Sequence, residues 1–298
     1  MTKADVRNLI IIWVASFALA ALAGWGFLMW APATNPVVPT AETPTTHWVT
    51  APASTTAEQV RRNTAWTITV IFPFLFGPLI TLGYVIWRFT KPKNPVPDRV
   101  EENVPLEVFW TLVPAVILVA MAVPSYQVIQ YMDRTPEWSD DDPHYVVDVV
   151  GRQFDWFYSF PKYGVEMVDD GTGDNPLVLP VNRVILMNGR STDVNHAWWV
   201  PAFGIKFDVI PGRINPAWFR PTREGFFKGQ CAELCGALHA LMFIHVKVVP
   251  EAEFFEWIIE QGGEIPPEEQ EFVERLLGEG REIPVRQDQE EVALAGSD

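Results

Sequence analysis

Three long stretches in the first part of the chain contain no charged side chain, and they constrain the fold more than any other feature. They run over residues 8–30, 63–87 and 108–132. About 20 apolar residues are enough for a helix to cross a bilayer, whereas buried helices of water-soluble domains rarely run this long without a charge. The second and third stretches therefore predict a transmembrane helical hairpin over residues 63–132.

The first stretch allows two interpretations. It ends just before residues 31–33, Ala-Pro-Ala, which resemble a cleavage site. The apolar core of a signal peptide usually has about 7–15 residues, fewer than this stretch contains. Residues 1–33 are therefore predicted to form an additional transmembrane helix, with a cleaved signal segment as the alternative. Residues 34–62 then form a periplasmic connector, whose Pro, Thr and Ala bias as far as Gln59 indicates irregular backbone.

Cationic side chains indicate the orientation of these helices. Six of them flank the stretches on one side of the membrane: Lys3, Arg7, Arg88, Lys91, Lys93 and Arg99. The connector carries only two cationic side chains, Arg61 and Arg62. Because loops rich in Lys and Arg stay in the cytoplasm, everything after residue 132 is expected on the outer, periplasmic side.

The charge of the chain is distributed unevenly between its two parts. The 298 residues carry a net charge of −15. Residues 132–298 contain 30 acidic and 14 basic side chains, whereas residues 1–131 contain 7 and 8. This excess of acids disfavours nucleic acid as a partner, because nucleic acid binds basic surfaces. A basic protein partner suits the outer part better.

The outer part changes from helical to β-rich sequence. Short runs of β-branched and aromatic residues alternate there with Gly, Pro, Asn and Asp, at 145–150, 183–187, 208–210 and 242–249. Such runs predict an antiparallel sandwich or barrel, here over residues 133–250. Residues 251–298 are predicted to be an acidic extension, with helices at 252–261 and 267–277, a mobile tail from Glu279, and acids that face solvent.

The most informative motif is a cluster of sulfur and nitrogen donors. It comprises Cys231, Cys235, His239 and Met242, together with His196, which lies 35 residues before the first cysteine. Thiolates and imidazoles select copper or zinc, and the thioether favours copper, since structural zinc sites use Cys and His without Met. A disulfide between the two cysteines is the alternative, but it leaves His239 and Met242 unexplained.

The presence of two cysteines indicates what such a site does. One cysteine holds a single copper ion, whereas two thiolates can bridge two ions, so that an added electron is shared and bond lengths change less. Such a site suits fast one-electron transfer and leaves no open position for a substrate.

Glu107 stands at the cytoplasmic start of the third stretch. An acid at a helix start is favoured by the helix dipole, and position alone favours this interpretation. The alternative is a proton-uptake carboxylate at the membrane boundary, where ionisable groups are often functional.

Together these residues resemble subunit II of the bacterial haem–copper cytochrome c oxidases. The likeness covers residues 65–250 and is carried by Val104–Pro114, Gly151–Gln153, Asp193–Trp198, Ile210–Arg213 and Gly229–Gly236, the last continued to His239 and Met242. The resemblance implies a membrane-anchored all-β fold, in which the helical hairpin precedes a cupredoxin-like Greek-key β-barrel. It also implies a multi-pass protein of the bacterial cytoplasmic (inner) membrane, with its copper domain on the periplasmic side.

The resemblance implies two metal sites. His196, Cys231, Cys235, His239 and Met242 would bind a dinuclear copper centre (CuA) through their side chains. Glu233 would give a backbone carbonyl to the same centre. Its carboxylate would bind a magnesium or manganese ion shared with subunit I, because hard cations prefer oxygen ligands.

Other positions acquire roles from the same resemblance. Glu107 matches an acid at the start of a proton pathway, which reverses the interpretation from position alone. Asp193 matches an acid of the cytochrome c docking face. Lys206, Asp208 and Arg213 match residues between the copper site and the haem propionates, although a surface salt bridge also explains the first two.

One string departs from the family. Its members carry Gly-His-Gln-Trp-Tyr-Trp, which supplies the aromatic ring that receives electrons, whereas this chain has Gly-Arg-Gln-Phe-Asp-Trp over residues 151–156. Phe154 or Trp156 can make this contact instead. The donor can also be a membrane-bound or fused cytochrome in place of a soluble cytochrome c.

The sequence therefore predicts the electron-accepting subunit of a proton-pumping terminal oxidase. Electrons would pass from cytochrome c through the copper pair to haem in subunit I, in a complex with subunit III and membrane lipid. Three alternatives remain: a quinol oxidase subunit II without the metal, a membrane-anchored copper carrier, and a soluble nitrous oxide reductase domain. The intact donor set disfavours the first, and the hairpin disfavours the last.

Overall fold

The structure is a computed structural model that describes residues 3–33, 51–90, 92–93, 96, 102–137, 139, 143–278 and 283–286. The chain divides into two units. One consists of Met1–Thr34 and Gln59–Tyr131, and the other of Asn35–Glu58 and Met132–Asp298. The first unit contains the apolar helices and the second contains the β-rich domain.

The charge-free stretches form three helices: α1 (Lys3–Ala33), α2 (Thr55–Arg88) and α3 (Val104–Asp133). Helices α2 and α3 are long and apolar enough to cross a membrane. No residue of α3 is buried, and apolar surface of this extent is typical of a face that contacts a membrane or another protein rather than water. Within this unit, Asn63 of α2 donates a hydrogen bond to Ser125 of α3 over 3.2 Å, as expected for two neighbouring helices of a hairpin.

Helix α1 packs against α2 in antiparallel order. Near the start of α1, Asn8 donates to the Tyr84 hydroxyl over 3.4 Å. Further along, the Trp13 and Phe74 rings have centroids 5.8 Å apart. A Cβ atom at Gly77 would lie only 2.8 Å from the Trp13 ring, so the absence of a side chain at Gly77 makes this close approach possible.

Helix α2 begins earlier than the apolar stretch that predicts it. The irregular connector expected as far as Gln59 is helical from Thr55. The reason is a helix cap, because the Ser54 hydroxyl accepts the amide hydrogen of Ala57 over 2.9 Å and donates to the Phe203 carbonyl over 2.6 Å. The cap satisfies an amide that has no partner within the helix. Residues 34–50 of the connector lie outside the described residues.

The described part of the outer domain contains ten strands. They are β1 (His144–Arg152), β2 (Asp155–Phe160), β3 (Val165–Asp169), β4 (Leu177–Pro180), β5 (Val184–Ser191), β6 (His196–Val200), β7 (Ile205–Val209), β8 (Asn215–Phe219), β9 (Gly225–Gln230) and β10 (Phe243–Val249). They form a sheet of order β3-β2-β1-β5-β8, a second of order β4-β10-β9, and the pair β6-β7. Alternate residues of β1 and β2 are buried, as expected for strands that cover a core.

Two strand pairs depart from the antiparallel arrangement that the turn pattern predicts. Strand β5 pairs with β1 in parallel, and β4 pairs with β10 in parallel. Both pairs join strands that are distant in the sequence, because the chain passes between the sheets before it returns. A local pattern of turns cannot reveal such a crossover.

The C-terminal extension is an integral layer of this domain. Its helices are α4 (Glu251–Glu260) and α5 (Pro267–Leu277). Phe254 and Phe255 of α4 are completely buried. Their rings pack against those of Tyr145 and Tyr163, with centroids between 5.1 and 6.2 Å apart.

Two acids of this extension do not face solvent as expected. Glu251 accepts hydrogen bonds from Tyr145 and from Arg183, the latter over 2.7 Å. Glu269 accepts from Tyr163 over 2.9 Å and from Lys162 over 2.6 Å. These carboxylates therefore fasten the two helices to the strands beneath them.

The mobile tail predicted from Glu279 is wrong for residues 283–286. Ile265 donates its amide hydrogen to the Pro284 carbonyl over 2.7 Å, and Arg286 donates to the Ile265 carbonyl over 2.9 Å. Ile283 is buried as well. The rest of the predicted tail lies outside the described residues.

We expect Phe254→Ala to lower the free energy of unfolding of the outer domain by about 3–5 kcal/mol, because it leaves a cavity in the buried aromatic cluster. Denaturant unfolding of the full chain in detergent, followed by near-ultraviolet circular dichroism, measures this change. Glu260→Ala, on the exposed side of the same helix, is the control and should change stability by less than about 0.5 kcal/mol. Equal stability of the two variants would show that the extension does not contribute to the core.

Candidate metal centre

The candidate metal centre lies on the loop between β9 and β10, the metal loop. These strands are antiparallel neighbours, so the two ends of the loop meet. Cys231 donates its amide hydrogen to the Met242 carbonyl over 2.9 Å, and Ala232 donates to the Ala197 carbonyl of β6 over 2.9 Å. The second bond holds the loop beside the start of β6, where His196 lies.

The donor atoms of this loop converge. The two sulfur atoms of Cys231 and Cys235 are 3.9 Å apart, and His196 Nδ1 lies 3.9 Å from the first sulfur. His239 Nδ1 and Met242 Sδ lie 3.6 and 3.8 Å from the second. Four of the five donor residues are buried, and the fifth, His239, is half-buried. A disulfide bond needs a sulfur–sulfur distance of about 2.05 Å, so the two cysteines are free thiols.

The two thiols differ in their affinity for protons. Burial raises the pKa of the Cys231 thiol, but hydrogen bonds with His196 and with the backbone at Ala197 and Glu233 outweigh it and lower that pKa. The pKa of Cys235 is raised, first by burial and then by the charge of Cys231. Two thiolates this close repel each other, and a bound cation removes the repulsion. The charge and softness of the donors therefore fit a thiophilic metal ion such as copper.

Asp193 holds the His196 ring in place. Its Oδ1 lies 2.9 Å from His196 Nε2, and its carboxylate also accepts the amide hydrogens of Gln153 over 2.7 Å and Val194 over 2.6 Å. Burial raises the pKa of Asp193, but these hydrogen bonds outweigh it and lower the pKa to about 2. Because the carboxylate can only accept, Nε2 carries the proton and Nδ1 is left to face the Cys231 sulfur.

The sequence does not reveal this positioning contact, because it predicts Asp193 only as a docking acid. An Asp and a His three residues apart at the start of a strand are the signal that could have revealed it. The docking role stays a prediction.

The two candidate electron-accepting aromatics differ in exposure. Trp156 is completely buried, and its ring centroid is 5.9 Å from that of His196. Phe154 is half-buried and packs beside Gly236, where a Cβ atom would lie 3.2 Å from its ring. Gln153 donates a hydrogen bond to the Cys235 carbonyl. Phe154 is therefore the aromatic that reaches the surface beside the loop.

The side chains of the remaining predicted site residues are not among the converging donors. Lys206, Asp208 and Arg213 line a cavity of about 620 Å³ in the outer domain. The side chain of Glu233 is exposed on the metal loop. Glu107 is in the helical unit, where it accepts the amide hydrogen of Asn103 over 3.2 Å and so caps the start of α3.

We expect Asp193→Ala to weaken metal binding by about 10- to 100-fold, the usual cost of removing a partner that orients a ligand. Titration of the full chain with copper against a competing chelator measures this affinity. Glu166→Ala removes the same charge from an exposed position on β3 and should leave the affinity unchanged. If both variants bind alike, Asp193 does not orient His196.

Comparison with known proteins identifies the family. Residues 43–128 match the family described as cytochrome c oxidase subunit II, transmembrane domain, and residues 167–249 match cytochrome c oxidase subunit II, periplasmic domain. Over 243 residues the chain is 34% identical to cytochrome c oxidase subunit 2 of Cereibacter sphaeroides, covering 71% of this chain and 78% of that protein. Over 205 residues it is 37% identical to a probable cytochrome c oxidase subunit 2 of Rickettsia prowazekii, covering 64% and 63%.

Among solved structures, the periplasmic domain of subunit II of cytochrome oxidase from Bradyrhizobium japonicum is 36% identical. That match covers 43% of this chain and 97% of the solved domain, with a TM-score of 0.39. The predicted fold class, apolar membrane helices followed by a cupredoxin-like β domain, is confirmed. With both family domains matched and most of a relative covered, the chain belongs to the cytochrome c oxidase subunit II family, whose members are part of an oxidoreductase complex.

Proposed function

We propose that this chain accepts electrons for a terminal oxidase at a dinuclear copper centre. The side-chain ligands would be His196, Cys231, Cys235, His239 and Met242, and the Glu233 carbonyl would complete the set. The observation that supports this is the convergence of the donor atoms, with neighbouring donors between 3.6 and 3.9 Å apart. The Glu233 carbonyl oxygen also lies 3.2 Å from the Cys231 sulfur.

The donor set suits two copper ions better than one zinc ion. Each cysteine sulfur has an imidazole beside it, so the cluster offers two similar halves rather than one tetrahedron. The thioether of Met242 adds a soft donor that zinc sites do not use. When bound, the copper pair supplies one-electron redox chemistry.

The chain's own residues would keep that centre rigid and dry. Cys231, Cys235 and Met242 are at most 3% exposed, so water has little access to the ligands. Backbone hydrogen bonds hold both ends of the loop, and Asp193 holds His196. Ligands that cannot move reduce the structural change that accompanies each electron transfer, and this favours rapid turnover.

We expect the full chain, purified and loaded with copper, to hold two copper ions and to show a mixed-valence two-copper spectrum. Cys231→Ser removes one bridging sulfur and should abolish that spectrum, whereas His144→Asn, a histidine outside the cluster, should leave it unchanged. Metal analysis and electron paramagnetic resonance measure both. A single-copper signal in the wild-type chain, or an unchanged spectrum in Cys231→Ser, would contradict the proposal.

We further propose that Phe154 is the aromatic through which electrons arrive from a cytochrome, either soluble cytochrome c or a membrane-bound donor. Its partial exposure beside the metal loop supports this, whereas Trp156 is too deeply buried to touch a partner. Trp156 would then support His196, which its ring contacts, from inside the domain and would not receive electrons from the partner. Asp193 retains some exposure, 26% of its side chain, and could contribute to docking as well as to the orientation of His196.

The remaining family roles are proposals about the assembled oxidase. The exposed Glu233 carboxylate would bind magnesium or manganese at the border with subunit I. Lys206, Asp208 and Arg213, which line one cavity, would face the haem side of that border. The complex, completed by subunit III, would lie in the bacterial inner membrane and pump protons. Co-purification of a large haem-containing partner distinguishes it from a copper carrier.

We expect Glu107→Gln to slow turnover of the assembled oxidase while leaving its copper spectrum intact. Glutamine keeps the oxygen that caps α3 at Asn103 but cannot carry a proton. Glu102→Gln, a nearby acid outside the helix, is the control. Oxygen consumption with saturating donor measures turnover, and equal rates for the two variants would exclude proton uptake at Glu107.

A further inference from the structure

A second buried carboxylate lies just beyond the metal loop. Asp169, at the end of β3, is 1% exposed, and His245 of β10 is 4% exposed. Asp169 Oδ2 accepts the amide hydrogen of His245 over 2.7 Å, and Oδ1 lies 3.1 Å from His245 Nδ1. Oδ1 also accepts the amide hydrogen of Gly171 over 3.0 Å. These hydrogen bonds of the carboxylate are therefore made with β10 and with the turn that follows β3.

The turn after β3 packs closely against the last residues of the metal loop. Gly171 has a φ of +81°, and a Cβ atom there would lie 3.0 Å from the Leu241 carbonyl oxygen and 3.5 Å from the Phe243 nitrogen. Gly173 has a φ of +91°, and its Cβ atom would lie 3.2 Å from the His245 ring. Both positions need glycine, for their backbone conformation and for the contact. The turn thus touches the chain on both sides of Met242.

We propose that Asp169 and the turn it organises are a positioning device for the metal centre, one that fixes the Met242 end of the loop. Asp169 holds the backbone three residues after Met242, while Gly171 limits the movement of Leu241 immediately before it. Since Met242 also accepts the amide hydrogen of Cys231, its placement is coupled to that of a cysteine. This inference rests on the proposed copper site for its effect on the metal.

Asp169 is linked to the opposite side of the same centre. In the register of β2 and β3 it lies across from Trp156, whose ring contacts His196. Asp169 therefore links two strands of the domain. It pairs with β2, whose Trp156 contacts the proposed ligand His196, and it accepts hydrogen bonds from β10, which follows the proposed ligand Met242. A buried acid with three hydrogen bonds keeps a single arrangement, because losing any partner would leave the charge uncompensated.

Two variants of the full chain test this device in different ways. Asp169→Asn replaces one accepting oxygen by a donor that faces the amide hydrogens of His245 or Gly171. Gly171→Ala keeps the charge but pushes a methyl group toward the Leu241 carbonyl. Each has a matched control. Asp170→Asn changes an exposed acid that accepts hydrogen bonds from Thr172, and Gly164→Ala changes a glycine with a similar positive φ of +69° but open space around it.

We expect both test variants, loaded with copper, to show shifted absorption and electron paramagnetic resonance spectra. Copper loss to a chelator should be about tenfold faster than in the wild type. The controls should match the wild type in both measurements, although Gly164→Ala lowers the unfolding temperature as Gly171→Ala does. Unchanged spectra and loss rates in both test variants would overturn the proposal and leave Asp169 as a residue of the core alone.

A measurement without metal separates this proposal from the copper site. In the metal-free chain, a displaced Met242 exposes the buried thiols, so a thiol reagent should modify the cysteines about tenfold faster in both test variants than in their controls. This acceleration is expected even if the wild-type chain fails to hold two copper ions. Equal modification rates in all four variants would reject the positioning device whatever metal is bound.

Discussion

The metal centre depends on the way one loop is closed. Backbone pairing of two neighbouring strands continues as far as Cys231 and Met242, which brings the first and last donors of the loop together. A further backbone bond from Ala232 to Ala197 sets the loop against the strand that carries His196. Because these bonds join main-chain atoms, the pairing of the strands fixes the backbone positions of the donor residues. Only small changes in side-chain conformation are then needed for the donor atoms to converge.

The surroundings of the centre place charge where it orients the ligands. Asp193 acts directly on the His196 ring through Nε2, while Nδ1 lies beside the Cys231 sulfur. Its hydrogen bonds with His196, Gln153, Val194 and Ser191 keep the carboxylate ionised. Asp169, in our proposal, acts through the backbone at the other end of the loop. Each carboxylate is surrounded by donors, so neither carries the cost of an unpaired buried charge. Rigid ligands would suit the electron-transfer role that we propose for this centre, since such a centre gains nothing from mobility.

The acidic character of the outer part comes mainly from its C-terminal extension. Residues 251–298 contain 15 acidic and 3 basic side chains, whereas residues 132–250 contain 15 and 11. Of the extension's acids, Glu251 and Glu269 anchor its helices to buried tyrosines. The others give the domain a negative field that would attract a basic partner. The extension thus combines a structural role, completion of the aromatic core, with an electrostatic one.

The sequence by itself determined the membrane helices, the β class of the outer domain and the set of candidate metal ligands. Charge-free length and the order of Cys, His and Met are local properties, readable without a fold. Only the tertiary structure decided the parallel pairs β1–β5 and β4–β10, the packing of α4 and α5, and the hydrogen bonds of Asp193 and Asp169. These depend on residues such as Asp169 and His245, which are 76 positions apart. Asp169 and His245 lie in strands of different sheets. The periodicity of residues within a short segment does not predict such a contact between sheets.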